Sequence, residues 1–526
     1  MTSNPSAATG THDPTVLVDI PMSSQDALWL TMDRPNNLMV IDSLMWFDAV
    51  VSMPKLRAVL RQRMIRRFPT FSCVPTQVDN GWVWRPLPEF DVDLCLHSVR
   101  LPASAGPAEL RGLVSEQRSI PLPRDKPLWS CLLVTNLTLD DGSKGSAVII
   151  RAHHSLADGV RLTQVMLGMC DMDADAAPVG VGKALRRSSG PAAVALSVAR
   201  NIASDSLDTA RSAGEQAMQG ALRLGGNAPG ELFRLAGSVG SMVRNPGRVS
   251  GVLATLGSTD NRAVNDAAAV TKLALSAPSV RTVWSGTPSE TKSAGWGPTL
   301  SLPQVKAIGK ATGTTVNDVL LGAVAGALTR YLRSHGDDSV DELLWMVPVS
   351  VRPLDVDSFS DDEAAAEPGH NNLGNYFALV ALRMPIGIDD VAARLAVLHT
   401  EMARIKASDE ALLTFTVQRG ISKAPPPAAA ALTNFFANKG VGVLTNVPGP
   451  RHPMSLAGAT VAGVLAWAPC SGDQVMTICI FSYNGRVSVG FGADATLIPD
   501  VDVLADLLAL EFEHMCTTIL GDPKEV

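Results

Sequence analysis

The chain has 526 residues, 46% of them hydrophobic and 18% charged, which is long for one hydrophobic core and too apolar for a largely disordered chain. Its net charge of −7 argues against a dedicated nucleic-acid binder, and no run approaches the ~18 consecutive apolar residues of a membrane span. Seven cysteines without a CxxC pair, and an opening stretch without basic or apolar signal regions, point to a reduced, cytoplasmic protein.

Residues 1–20 are polar and read as a flexible leader. Residues 21–180 alternate helical and strand-like segments, as a first α/β domain would. A helix is expected over 55–68, with strands over 82–85 and 128–134, where aromatic and branched side chains gather. A short buried strand over 146–152 stops at His153-His154, and a helix starts at Asp158.

Residues 181–270 form an Ala/Gly-rich connector of helical character, with nine basic residues against four acids between 183 and 258. At helical spacing Val194, Val198 and Ile202 share one face, and Leu232, Leu235, Val239 and Met242 repeat the pattern. Such basic amphipathic segments either lie on an anionic lipid surface or pack on the flanking domains. Residues 271–526 read as a second α/β domain. Helices are expected over 315–333, 389–406 and 500–520, and strands over 343–351, 377–382, 440–444, 474–483 and 486–492. Asn484-Gly485 marks a hairpin between the last two strands.

The chemistry concentrates in Arg151-Ala-His153-His154-Ser155-Leu156-Ala157-Asp158-Gly159. A histidine at a strand end can have its ring held by the backbone while one nitrogen faces a cavity, and its ordinary pKa near ~6.5 suits a general base. Asp158 can hold the loop through a cation or cap the following helix, and Gly159 lets the backbone turn where a side chain would clash. Paired surface histidines with no chemistry remain an alternative. A metal site is disfavoured, because the other seven histidines are dispersed and neither HExxH nor a Cys/His ligand pair occurs. No GxSxG elbow, complete phosphate loop or GxGxxG after a strand is present, so direct transfer with a histidine base is the economical mechanism.

His-His-x-x-x-Asp-Gly after a strand resembles the signature of acyl-CoA-dependent acyltransferases. Their fold is the two-domain α/β arrangement shared with chloramphenicol acetyltransferase and peptide-synthetase condensation domains. The whole chain is similar to the bacterial wax ester synthase/diacylglycerol acyltransferase family. The matching elements fall in order: Pro21-Met-Ser-Ser-Gln-Asp26-Ala-Leu-Trp-Leu, Pro127-Leu128-Trp129, Thr315-Val-Asn317-Asp318, Pro348-Val-Ser-Val-Arg352, Gly374-Asn375, Asn446-Val-Pro-Gly-Pro450 and Ser482-Tyr-Asn-Gly485. Residues 36–40 depart from the family's Pro-Met-His-like stretch, and the connector is longer than the resemblance implies.

The resemblance implies mixed sheets with helices and an active-site channel between the two domains. Long-chain acyl-CoA would serve as substrate, without a further cofactor, and diacylglycerol or a long-chain alcohol as acceptor. His154 would be the general base and His153 its support. Asn317 would either stabilise the oxyanion or cap its helix. Asp318 would fix that helix through its dipole, and Asp158 would be architectural, paired with Arg352. The protein would work in the cytoplasm, with peripheral contact to the inner membrane or lipid droplets if the connector binds lipid. A catalytically inactive lipid-binding protein on the same scaffold and a condensation-type enzyme using carrier-protein thioesters are the competing readings.

Overall fold

Buried branched and aromatic runs form two seven-stranded sheets, and amphipathic helices cover them. The computed structural model describes residues 18–521 apart from 80, 140–141, 173–279, 351–372, 374, 376 and several positions between 408 and 425. The connector over 181–270 and Arg352 therefore lie outside the described residues, as do the expectations attached to them.

In chain order the first half comprises β1 (Ile20–Pro21), α1 (Ser24–Met32), β2 (Val40–Phe47), α2 (Met53–Val59), β3 (Cys73–Val78), β4 (Gly81–Pro86), β5 (Leu96–Arg100), α3 (Pro107–Ser119), β6 (Trp129–Thr138), β7 (Lys144–His153), α4 (Gly159–Met169) and β8 (Asp171–Met172). The helix expected over 55–68 is split, because α2 continues into a π-helical turn at Leu60–Ile65. The second half comprises β9 (Lys292–Trp296), β10 (Leu300–Ser301), α5 (Leu302–Thr312), α6 (Val316–Ser334), β11 (Glu342–Ser350), β12 (Phe377–Pro385), α7 (Val391–Ala407), α8 (Pro426–Ala437), β13 (Gly442–Pro448), β14 (Met454–Leu456), β15 (Ala459–Trp467), β16 (Met476–Tyr483), β17 (Arg486–Asp494) and α9 (Val501–Leu520). Asn484 and Gly485 both have positive φ, 46° and 76°, as the two-residue hairpin between β16 and β17 requires.

The N-terminal sheet runs β5-β6-β7-β2-β15-β14-β8 and the C-terminal sheet β10-β17-β16-β13-β11-β12, with β9 also on β17. Strand pairing does not follow the sequence division into 21–180 and 271–526. After β13 the chain leaves the C-terminal sheet, and β15 pairs antiparallel with β2 from Val461↔Phe47 to Trp467↔Asp42 before the chain returns as β16. The reason lies in β2, Val-Ile-Asp-Ser-Leu-Met-Trp-Phe, which is buried at nearly every position and needs a partner strand on each side. β7 supplies one and β15 the other. The two halves are stitched again at α3, where Ser119 Oγ accepts the Lys292 N–H at 2.8 Å and Ser115 Oγ accepts that of Ala294 at 2.9 Å.

Candidate active site

β7 carries a continuous buried run, Ala147 to Ala152, that ends at His153, with His154 directly after it; both side chains are buried. Pairing with β2 sets Val40 opposite His153 and Asp42 opposite Arg151. The next residues turn, and Asp158 starts α4 as its N-cap, its Oδ1 accepting the Arg161 N–H at 2.9 Å.

The two histidines are held differently. His153 is hydrogen-bonded at one ring nitrogen; its Nε2, buried like His154 Nδ1, has no hydrogen-bond partner among the described residues. Its Nδ1 lies 2.8 Å from Ser155 Oγ and accepts the Ser155 N–H at 3.1 Å, which leaves the proton on Nε2, 3.6 Å from Asp33 Oδ2. Asp33 in turn accepts the Met39 N–H at 2.8 Å and Arg124 Nη2 at 2.9 Å. Burial pulls the pKa of His153 down, and the Asp33 carboxylate only partly offsets it.

His154 is held through its backbone and by aromatic contacts to its ring. Its N–H donates to Met39 O at 2.7 Å, and its carbonyl accepts Asn375 Nδ2 at 2.8 Å. Trp29 of α1 stacks on the imidazole with centroids 4.2 Å apart and 28° between planes, and Phe377 of β12 lies at 5.4 Å on a tilted plane. Nδ1 is buried without a hydrogen-bond partner among the described residues. Burial pushes the His154 pKa down to about 4, with the neighbouring His153 adding to the fall and its own backbone carbonyl and Asn375 opposing it. The ring is therefore neutral at pH 7 and able to accept a proton.

Asn375 joins three parts of the chain. The same Nδ2 that holds the His154 carbonyl donates to Asp26 Oδ1 at 2.7 Å, and Asp26 also accepts from Ser23 Oγ at 2.6 Å in the first turn of α1. Burial raises the Asp26 pKa; the Ser23 and Asn375 hydrogen bonds lower it, and the Asp158 carboxylate nearby adds to the rise.

Pro127-Leu128-Trp129 serves as a brace. Leu128 O accepts the His153 N–H at 2.9 Å, and the Trp129 indole donates to Phe71 O at 2.7 Å. Thr315, not Asn317, caps α6, in a reciprocal capping box with Asp318. Asp318 is buried and also accepts His399 Nδ1 at 2.7 Å. Asn317 sits in the first turn, its Oδ1 taking the Asn446 amide at 2.8 Å, so its own N–H groups remain available as donors. Gly159 needs correction: its φ is not positive, and a Cβ there would meet only Ile41 Cδ1 at 4.0 Å. The turn is made by the extended backbone of Asp158, φ −73° and ψ 168°, so no steric demand fixes glycine at 159.

Asp33 and Phe377 belong to none of the motifs, and Trp29, Asn375 and Asn446 stand inside motifs that assign them no role. The long reach of their contacts explains this: Asn375 and His154 are 221 residues apart, Asn375 and Asp26 349. No group of three His, Cys, Asp or Glu among the described residues could hold a metal ion, and no described helix is long and apolar enough to cross a membrane.

Two family models match the chain: the wax ester synthase/diacylglycerol acyltransferase catalytic domain over residues 22–320, and the WS/DGAT C-terminal domain over 373–516. A candidate diacylglycerol O-acyltransferase of Mycobacterium tuberculosis H37Rv is 28% identical over 458 residues, 85% of each chain. One from Mycobacterium bovis is 28% identical over 519 residues, 94% of this chain and 90% of its own. Among solved structures, the wax ester synthase/diacylglycerol acyltransferase from Marinobacter aquaeolei VT8 superposes with a TM-score of 0.61 at 17% identity, covering 96% of this chain and 100% of that one. The first condensation domain of the CDA synthetase gives 0.51 at 16% identity, covering 97% and 98%, so the fold is the one condensation domains share. With a catalytic-domain model spanning more than half its length, the chain belongs to the wax ester synthase/diacylglycerol acyltransferase family and is an acyltransferase.

Proposed function

We propose that the protein moves a long-chain acyl group from acyl-CoA to the hydroxyl of diacylglycerol, forming triacylglycerol, and accepts long-chain alcohols by the same chemistry. The observation that carries this reading is His154: a buried, neutral imidazole whose Nδ1 has no hydrogen-bond partner among the described residues, clamped by its backbone on both sides and stacked on Trp29. His154 takes the hydroxyl proton as the acceptor oxygen attacks the thioester carbonyl. The tetrahedral intermediate collapses, the carbon–sulfur bond breaks, and the CoA thiolate leaves with the proton from His154.

Asn317 supports the oxyanion, because its engaged carbonyl oxygen leaves amide hydrogens to donate. Trp29 favours the imidazolium that forms in transit, since a cation over an indole face is stabilised by ~0.5–2 kcal/mol. His153, its Nδ1 tied to Ser155 and its Nε2 turned towards Asp33 at 3.6 Å, keeps the strand end in place and does not carry the proton. Acyl transfer at a lipid surface also fits a chain without a described membrane-spanning helix.

The test incubates the purified full chain with long-chain acyl-CoA and either diacylglycerol or a long-chain alcohol, following free thiol and the ester product together. Acceptor-dependent thiol release with equal ester formation supports the reading. Absence of thiol release with both acceptors overturns it, and transfer only from carrier-protein thioesters replaces it with the condensation-type reaction.

A further inference from the structure

Helix α1 carries Asp26 and Trp29 within it and Asp33 as its C-cap. Spacings of three and four residues set the three on one helical face, and each reaches the histidine pair. Asp26 Oδ1 accepts Asn375 Nδ2, which also holds the His154 carbonyl, and Trp29 stacks on the His154 ring. Asp33 reaches the amide side of His154 through one intervening residue. Its Oδ1 accepts the Met39 N–H at 2.8 Å, and the Met39 carbonyl accepts the His154 N–H at 2.7 Å. Its Oδ2 lies 3.6 Å from His153 Nε2. Carbonyl, ring and amide of His154 are thus all referred to a single helix.

For α1 alone a carboxylate is misplaced at this end. The C-terminus of a helix carries partial negative charge, which favours a cation or a neutral cap, and no basic residue lies in the last turn. Burial also works against ionisation of Asp33, yet His153, the Met39 N–H and Arg124 hold its pKa below the ordinary carboxylate value. The cost to the helix is offset from outside: Arg124 Nη2 donates to Leu30 O at 3.0 Å, in the last turn, and to Asp33 Oδ2 at 2.9 Å. A residue that breaks a local rule and draws a compensating partner has a duty beyond its own helix. Between Asp33 and Met39 the chain makes a tight turn, closed by reciprocal bonds between Arg34 and Asn37 of 3.2 and 2.9 Å. The clamp uses only the backbone of Met39, so the departure of residues 36–40 from the family's stretch leaves it intact.

We infer that Asp33 is a positioning residue for acyl transfer, fixing the main chain of His154 through Met39 while facing the His153 ring. The inference rests on the reading of His154 as general base. Because His154 Nδ1 has no hydrogen-bond partner among the described residues, the main chain and the aromatic contacts carry the orientation of the ring. Proton transfer needs the base within hydrogen-bond reach of the acceptor hydroxyl, and a displacement of about 1 Å can cost ~10²-fold in rate. A fixed main chain at His154 therefore matters more to turnover than to the binding of acyl-CoA.

The test is a double-mutant cycle on the full chain. Asp33→Ala and Asp33→Asn are each made in the wild type and in the His154→Ala background. Thiol release from long-chain acyl-CoA with diacylglycerol is followed, and thermal melting is recorded alongside. Asp33→Ala removes both contacts, whereas Asp33→Asn keeps an oxygen for the Met39 N–H. Asp33→Ala is expected to lower kcat by about 10–100-fold with KM for acyl-CoA within about twofold, and Asp33→Asn to lower it by only about 3–10-fold. In the His154→Ala background either substitution should change the residual rate by less than about twofold, because no base is left to misplace. Equal fold-losses in both backgrounds, or folded variants with unchanged kcat, overturn the positioning role. If Asp33→Ala fails to fold, the Asp33→Asn cycle decides by the same criterion. Full activity of His154→Ala overturns the reading of the base and this inference with it, whereas an inactive His154→Ala beside fully active Asp33 variants overturns the inference alone.

Discussion

Within a few residues of one another β2, β7 and the turn after it bury Asp42, Arg151, His153 and His154, whereas β16 and β17 of the C-terminal sheet bury mainly apolar residues such as Ile478, Ile480, Val487 and Phe491, with one carboxylate, Asp494, paired to Lys292 at the end of β17. The first arrangement costs stability, since each buried ionisable group must be neutral or paired. The second contributes apolar burial at ~25 cal/mol per Å². Yet the histidine site is not the property of one half. Asn375 and Phe377, on the C-terminal side, hold the backbone of His154 and lie against its ring, and Trp29 of α1 stacks on both the imidazole and Phe377. One half carries the titratable groups and the other holds them in position.

The sharpest way to break that division is to remove the group that titrates. Under the proposed mechanism His154→Ala loses roughly 10²–10⁴-fold in turnover, the usual share of general-base catalysis, while its melting temperature holds or rises because a buried polar ring is gone. His153→Ala loses less turnover and more stability, since Ser155 and Asp33 lose a shared partner. Equal activity of the wild type and His154→Ala would remove His154 from the chemistry.

Acid stability sharpens the same contrast. The folded pKa of His154 is pushed down to about 4 against ~6.5 for an unfolded histidine, so the unfolded chain binds more protons between those values. Stability therefore falls as pH drops from about 6.5 towards 4, by roughly 3 kcal/mol from this residue. Chemical denaturation at several pH values measures it, and His154→Gln should flatten that part of the profile. A wild-type profile flat over this window would contradict the burial argument.

Positioning from the other half is next in size. Asn375→Ala leaves Asp26 Oδ1 and the His154 carbonyl without their shared donor, at about 1–3 kcal/mol for a buried unsatisfied group. Turnover should fall with it, and KM for acyl-CoA should change less than kcat. Unchanged kinetics with lowered stability would make Asn375 a matter of folding alone. The smallest effect expected is on the cap: Asp158→Ala costs about 1 kcal/mol through the lost Arg161 N–H bond, and Asp158→Asn restores most of it. Thermal melting of both variants checks it.

What the sequence made legible is what local chemistry dictates. The buried run before His153, the cap at Asp158, the Asn484-Gly485 turn and the amphipathic α9 each announce themselves within ten or twenty residues. β2 was harder, because it is buried on both faces, shows no alternation and carries Asp42 in its interior. The excursion of β14 and β15 into the other sheet has no local signature at all, since β15 reads like any apolar strand and only the vacant side of β2 selects its place. Trp29, Asp33 and Asn375 belong to the same class. Each touches the histidine pair across a fold-level distance, and a tryptophan in an amphipathic helix looks like ordinary core until the partner is in view.

The central claim is that a neutral, buried His154 moves the proton, and the most direct measurement is the ratio of thiol-release rates, wild type over His154→Ala, as a function of pH. Each rate is taken over a short interval after a pH jump, with folding checked by fluorescence. The account predicts a ratio of at least ~100 that holds from pH 8 down to about 5.5 and has fallen only by about half at pH 4. A ratio near one at every pH, or a collapse already complete near 6.5, would contradict it.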